Sequence, residues 1–183
     1  TAMPHSIDSR FCRPPWRIPG VIAFTTTRQG GRSQSPWNSL NLGSHVGDAA
    51  SAVAANRARL LAMLPQGSAL QWLNQVHGTE VVEASGGPAL EADACWTQSH
   101  GVACAVMTAD CLPVLFADEK GARVAAAHAG WRGLQAGILE ATVAAMEVAP
   151  ERLQAWLGPA IGPGAFEVGP EVRDAFMSVQ PAK

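Results

Sequence analysis

The sequence predicts a mixed α/β fold, and three observations carry that reading. Hydrophobic residues make up 48% of the 183 and charged residues only 15%, a balance that supports a packed core and excludes disorder. Strand-like and helix-like stretches alternate only in part, and some neighbouring strands are joined by hairpin-length turns. That pattern favours mixed sheets over a regular doubly wound sheet. No repeat, heptad run or linker-like tract divides the chain, so one domain spanning 1-183 is expected.

Val21 to Thr27 is β-branched and aromatic and runs into Arg28-Gln29-Gly30-Gly31, which predicts a strand followed by a loop. The polar, Gly- and Pro-containing stretch up to Gly47 reads as an ordered surface loop. Asp48 is placed to cap a helix that continues to about Leu64, before Pro65. Strands are expected over Ala69 to Val76 and Thr79 to Ala84, with Gly86-Gly87-Pro88 as punctuation. Val102 to Met107, Cys111 to Ala117 and Arg123 to Ala127 read as buried strands, the last two joined by a turn at Asp118-Glu119-Lys120-Gly121. Leu134, Ile138, Leu139, Thr142, Val143 and Met146 recur at helical spacing, predicting a helix from Trp131 that Pro150 ends. Leu153 to Leu157 is a last strand, Gly158 to Gly164 a stiff loop and Glu171 to Ser178 a short helix.

Charge and composition also narrow the function. A net charge of −2 with no basic run disfavours a nucleic-acid scaffold or a polybasic membrane anchor. No apolar stretch approaches the roughly 18 residues of a spanning helix. Thr1 to Arg10 lacks the basic start and apolar core of a secretory signal. Cys12, Cys95, Cys104 and Cys111 show neither CxxC nor disulfide-framework spacing and read as reduced thiols, which points to the cytoplasm.

Three residues in unusual local settings carry the chemistry: His77, Cys111 and His128. Two imidazoles and one thiolate fill three corners of a tetrahedral zinc site and leave the fourth to water or substrate, as in catalytic zinc. His128 lies where a small-residue strand meets a helix start at Gly130, and Arg132 follows in the first turn. A helix start attracts anions, and an arginine there adds a charge-assisted contact. The alternative is an ordinary strand-to-helix junction with His128 as a hydrogen-bonded core residue. Asp110 beside Cys111 needs a partner, and it is a candidate to orient a ligand histidine, accept a proton or cap a turn. Pro113, two residues on, suggests an exposed or edge position. His77 before Gly78 reads as a strand end. The spacing matches neither a zinc finger nor HExxH, so the sequence leaves the metal and the bland readings both open.

The runs Gln71 to Val82, Ala92 to Gly137 and Leu157 to Val172 resemble the YfiH family, once labelled polyphenol oxidoreductase or laccase. Thr25 to Gly31, Ser39 to Gly43, His45 to Asp48 and Asn56-Arg57 are similar to the same family. The resemblance implies a four-layer α/β/β/α sandwich with mixed sheets, related in topology to cysteine-hydrolase-like toxins. It implies Zn2+ held by His77, Cys111 and His128. It further implies purine nucleoside phosphorylase activity on adenosine, inosine and methylthioadenosine, with adenosine deamination alongside. Some bacterial members are linked to peptidoglycan precursor editing. Family members continue past the segment matching Pro170 to Phe176, so the family's C-terminal segment is expected to be lacking here.

Phosphorolysis requires a phosphate site, contacts to ribose and base, and stabilisation of the departing purine. Arg28 and Arg132 are candidates for phosphate, and Asn41 and His45 for sugar or base; loop structure is the alternative for Arg28 and Asn41. Cys111, His128, His77 and Asp110 form the candidate catalytic set. A second class is a thiol hydrolase with Cys111 as nucleophile and a histidine as base, and metal content separates the two. Copper (Cu2+) oxidation is a third, disfavoured because five histidines, His5 and His100 among them, cannot easily build a trinuclear cluster. A non-catalytic binding module is the bland reading. Purine nucleoside and phosphate are thus the expected partners, with monomer and homodimer both compatible with the sequence.

Overall fold

The computed structural model describes residues 10–179; Thr1 to Ser9, on which most of the signal-peptide reading rests, lie outside the described residues. The described residues group into two compact units, one of 10–15 with 22–68 and one of 16–21 with 69–179.

In the first unit, β1 (Phe11–Cys12) pairs antiparallel with β2 (Thr25–Thr26). The strand expected over Val21 to Thr27 is therefore much shorter, because its partner offers only two residues and the Thr27 N–H bonds to the Arg10 carbonyl at the end of the ladder. Helix α1 (Ala50–Leu61) buries Val53, Asn56 and Leu60, which recur on one helical face. Asn56 braces the long loop: its amide nitrogen lies 2.9 Å from Ser33 Oγ and 2.8 Å from the Asn41 carbonyl, and its oxygen accepts from the Arg32 N–H at 2.8 Å. Arg57 donates to the Leu42 carbonyl at 2.9 Å. A fully buried amide with its hydrogen bonds made explains why the loop is ordered despite lacking regular structure.

The expected cap is a correction. Ala49 occupies the N-cap of α1 with no side-chain hydrogen bond. Asp48 turns back to the loop, accepting from Ser33 Oγ at 2.6 Å and Asn41 Nδ2 at 3.0 Å. The Asn41 and Ser33 hydrogen bonds hold its carboxyl below the ordinary carboxylate range against the opposing effect of burial. Because the folded value is the lower one, the contribution to stability is full above the ordinary value and disappears as pH falls through the folded value. Asp48→Asn is expected to flatten that acid limb: from about pH 5 to about pH 3, a range that spans the free Asp value and extends below it, its melting temperature should fall less than the wild type's. Parallel pH curves would show that the loop hydrogen bonds do not discriminate the ionised form.

The second unit is built around a five-stranded mixed sheet. Its strands, in chain order, begin with β3 (Ala69–Gln71), β4 (Leu73–Asn74), β5 (Val81–Glu83), β6 (Leu90–Glu91) and β7 (Ala94–Thr97). They continue with β8 (Val102–Cys104), β9 (Leu112–Asp118) and β10 (Val124–Ala129). Helices α2 (Trp131–Ala136) and α3 (Ile138–Met146) follow, then β11 (Leu153–Leu157) and α4 (Pro170–Val179). The main sheet runs β11-β9-β10-β7-β5; only β5 and β7 are parallel. Short parallel pairs β3-β8 and β4-β6 complete the unit's strands.

Alternation along β10 sets the two faces. Ala125, Ala127 and Ala129 pack with Ile138 and Met146 of α3 in one buried cluster, which also contains Ala94, Val114 and Phe116. Cys95 belongs to a second cluster with Leu73, Ala84 and Ala92, against which Val102 and Cys104 pack. Both faces of the sheet are thus covered, and the alanines of β10 keep the layers close.

Several expectations are corrected here. The strand expected over Ala69 to Val76 is two, broken at Trp72, because β3 and β4 pair with different partners. Short β6 and central β7 were not foreseen: Ala94-Cys95-Trp96-Thr97 is short and buried between two strands, so it shows no alternation. The helix from Trp131 is interrupted at Gly137, whose φ of 100° ends one helix and begins the next. It ends at Glu147, and Pro150 instead opens a 3-10 turn at Pro150–Arg152. Pro113 stands in an interior strand and not at an edge. Its carbonyl accepts from the Gly158 N–H at 2.8 Å, one step beyond the last β9-β11 pair, Val114 and Leu157. The missing proline N–H falls where that ladder ends, so the sheet loses little.

Candidate metal centre

Each member of the triad is delivered by a different local device. His128 is the penultimate residue of β10, on the face opposite Ala127 and Ala129. Cys111 immediately precedes β9, and since Leu112 pairs with Ala129 and Pro113 with His128, the antiparallel register brings it to the same end of the sheet. His77 lies between β4 and β5 with φ of 61°, a left-handed conformation uncommon outside glycine. The donor atoms of His77, Cys111 and His128 all lie within 4.8 Å of one another. Cys111 Sγ is 3.8 Å from His77 Nε2, and the two imidazoles meet edge to face at 4.7 Å between centroids. Exposure is graded, from buried His128 through half-buried Cys111 to exposed His77.

Asp93, one residue before β7, was not anticipated from the sequence, and it organises the centre. It is fully buried. Oδ1 accepts from His128 Nδ1 at 2.8 Å and from the His77 N–H at 2.9 Å, while Oδ2 accepts from the N–H groups of Gly78 at 2.7 Å and Val76 at 3.1 Å. Burial raises the Asp93 carboxyl, but the bonds from His128 and from the Gly78, Val76 and His77 backbone outweigh it and hold the group below the ordinary range. The successive N–H groups of Val76, His77 and Gly78 form a nest closed on an internal anion, and this stabilises the left-handed turn. A signal did exist: an acid flanked by alanines, Ala92-Asp93-Ala94, needs a partner as much as Asp110 does.

Asp110 is exposed, and its backbone carbonyl accepts from the Ile161 N–H at 3.0 Å. The carboxylate that holds a triad histidine is Asp93. Arg132 is exposed at the start of α2, its guanidinium 4.4 Å from the centre of the Trp131 ring. Arg28, Asn41 and His45 belong to the first unit. There Arg28 Nε donates to the Asn38 carbonyl at 2.7 Å, Asn41 holds Gly43 and Asp48, and His45 is exposed.

Burial is the main cause that pushes the Cys111 thiol up, followed by the negative charges of Asp110 and Asp93. A thiol nucleophile needs the reverse, an electropositive setting that yields thiolate. A cation among the three donors would supply that positive charge and deprotonate the thiol outright. Two imidazoles, one thiolate, a carboxylate on the remote nitrogen of a ligand histidine and an open side at His77 fit a catalytic zinc ion.

Over residues 22–183 the chain matches the family model described as multi-copper polyphenol oxidoreductase laccase. It is 55% identical over 174 residues to the purine nucleoside phosphorylase YfiH of Escherichia coli K12, covering 93% of this chain and 72% of that protein. The chain belongs to the YfiH family. A YfiH-family relative in Pseudomonas aeruginosa, also named purine nucleoside phosphorylase, is 59% identical over 166 residues, 90% of this chain and 68% of that protein. Among solved structures, a Neisseria meningitidis protein of the DUF152 family superposes with a TM-score of 0.85 at 48% identity, covering 94% of this chain and 72% of that one. YlmD from Geobacillus stearothermophilus gives 0.83 at 32% identity, with 91% and 67% covered. The mixed α/β fold is therefore that of YfiH and DUF152 proteins. Among the described residues, no helix is long and apolar enough to cross a membrane. Among them, too, His77, Cys111 and His128 are the one group of three or more donors that could hold a metal.

Proposed function

We propose that the chain is a zinc-dependent purine nucleoside phosphorylase acting from the His77–Cys111–His128 centre. The observation that carries the reading is the convergence of those three donors within 4.8 Å; the activity named for its relatives supports the substrate class. When bound, zinc supplies Lewis acidity at an open coordination position. In the reaction a phosphate oxygen bonds to the anomeric carbon, the glycosidic C–N bond breaks, and a proton passes to the departing purine. His128, held by Asp93, offers a fixed nitrogen, and Cys111 and His77 complete the donor set. Arg132 is assigned to the phosphate as a charge-assisted donor, and Asp110 to a proton-accepting role beside Cys111. Arg28, Asn41 and His45 remain assigned to substrate by residue type and family motif. Adenosine, inosine and methylthioadenosine are the proposed nucleosides, with adenosine deamination as a side activity. We also propose the four-layer sandwich and the single YfiH-like domain as the architecture to which the two units belong.

Metal-replete protein incubated with adenosine or inosine is expected to release base and ribose 1-phosphate only when phosphate is present. Release of free base without phosphate dependence would make the enzyme a hydrolase, and release of neither product would reject the assignment.

A further inference from the structure

We propose that Asp93 is the positioning residue of this centre, setting the tautomer of His128 and the backbone of His77 through one carboxylate. The proposal rests on the metal reading above, and it is independent of which nucleoside is turned over.

The geometry is more specific than a buried ion pair requires. A single oxygen, Oδ1, takes both the His128 imidazole and the His77 N–H. The other oxygen takes the N–H groups on either side of His77. The carbonyl of Asp93 also accepts the His128 N–H at 2.7 Å, so backbone and ring of His128 bond to the same residue. An ionised carboxylate only accepts, so Nδ1 of a neutral His128 carries the proton and Nε2 keeps its lone pair for the other donors. The same acceptor stabilises φ of 61° at His77, the conformation in which its ring reaches Cys111 and His128. Two of three donors are thus preorganised by one group, across 16 and 35 residues of sequence. Outer-shell partners of this kind fix ring orientation and raise ligand basicity.

Asp93→Asn separates positioning from packing. The amide is nearly isosteric and can still accept from the turn. Its NH2 group, presented to Nδ1, favours the opposite tautomer and places a proton on Nε2. Zinc affinity, measured by chelator competition without any nucleoside, is expected to fall roughly 10- to 100-fold, and the visible spectrum of the cobalt-substituted protein is expected to change. Wild-type affinity and an unchanged cobalt spectrum in a folded Asp93→Asn, even one with a lower melting temperature, would reduce Asp93 to a structural role and overturn the proposal. Imidazole nitrogen NMR of metal-free wild type decides the matter even if the variant fails to fold. A proton on Nδ1 of His128 supports the proposal, and a proton on Nε2 overturns it. Weakened zinc binding in Asp93→Asn upholds the proposal even if wild type shows no phosphorolysis, which would reject only the enzymatic assignment. A wild type that binds no zinc would overturn both.

Discussion

Cys111→Ala is expected to abolish stoichiometric zinc and, with it, nucleoside turnover. The residue supplies the only sulfur of the donor group, and loss of a direct ligand costs more affinity than the roughly 10- to 100-fold of an outer-shell change. The fold should be little affected, since Cys111 is only half-buried and its side chain meets the exposed His77 at 3.8 Å. Elemental analysis of dialysed protein reads the first effect, and melting of the metal-free forms reads the second. Unchanged stoichiometric zinc would remove Cys111 from the ligand set. Retained phosphate-dependent turnover with no zinc would detach the chemistry from the metal.

Gly130→Ala carries the second large effect, and its cause is steric. Gly130 has φ of −62° and ψ of 156°, which any residue adopts, so no backbone strain opposes the change. A methyl there would meet His77 Cδ2 at 2.8 Å and Cys111 Sγ at 3.1 Å. His77 is exposed and can swing away, so the stability cost should sit near the lower end of overpacking, about 1 kcal/mol. The displaced ring and thiol no longer share a centre, and zinc affinity is expected to fall about as far as in an outer-shell variant, 10- to 100-fold. Chelator competition and thermal melting on the same samples check both parts. Wild-type affinity would mean that the three donors do not need the backbone this close. Gly133 works by the same logic one turn on, where a Cβ would lie 2.8 Å from the Gly78 carbonyl and force α2 away from the His77 turn.

Much of this architecture is legible along the chain, for reasons that are local. The hairpin of β9 and β10 announces itself by two apolar runs around a charged, glycine-containing turn. The α3 face, with Ile138, Thr142 and Met146 buried, follows from helical periodicity, and the Thr142 hydroxyl is satisfied by the Ile138 carbonyl at 2.7 Å. The triad residues stand out because each sits in a motif with glycine, proline or charge close by. Elements whose identity depends on a distant partner do not announce themselves. Strand β7 is a strand because β10 and β5 flank it. Asp48 looks like a cap until Ser33 and Asn41 draw its carboxylate back into the loop.

The chemical inventory, two imidazoles and a thiol each next to a chain reversal, can be read from composition and local pattern. That inventory is enough to suggest a metal and too little to build one. The centre exists because antiparallel register places Cys111 beside His128, because Gly130 lets the backbone pass close to His77 and Cys111, and because a buried Asp93 holds His77 in a conformation its own neighbours would not impose. Those are long-range conditions, set by sheet pairing and by the cost of burying a carboxylate without partners, and no window of sequence contains them.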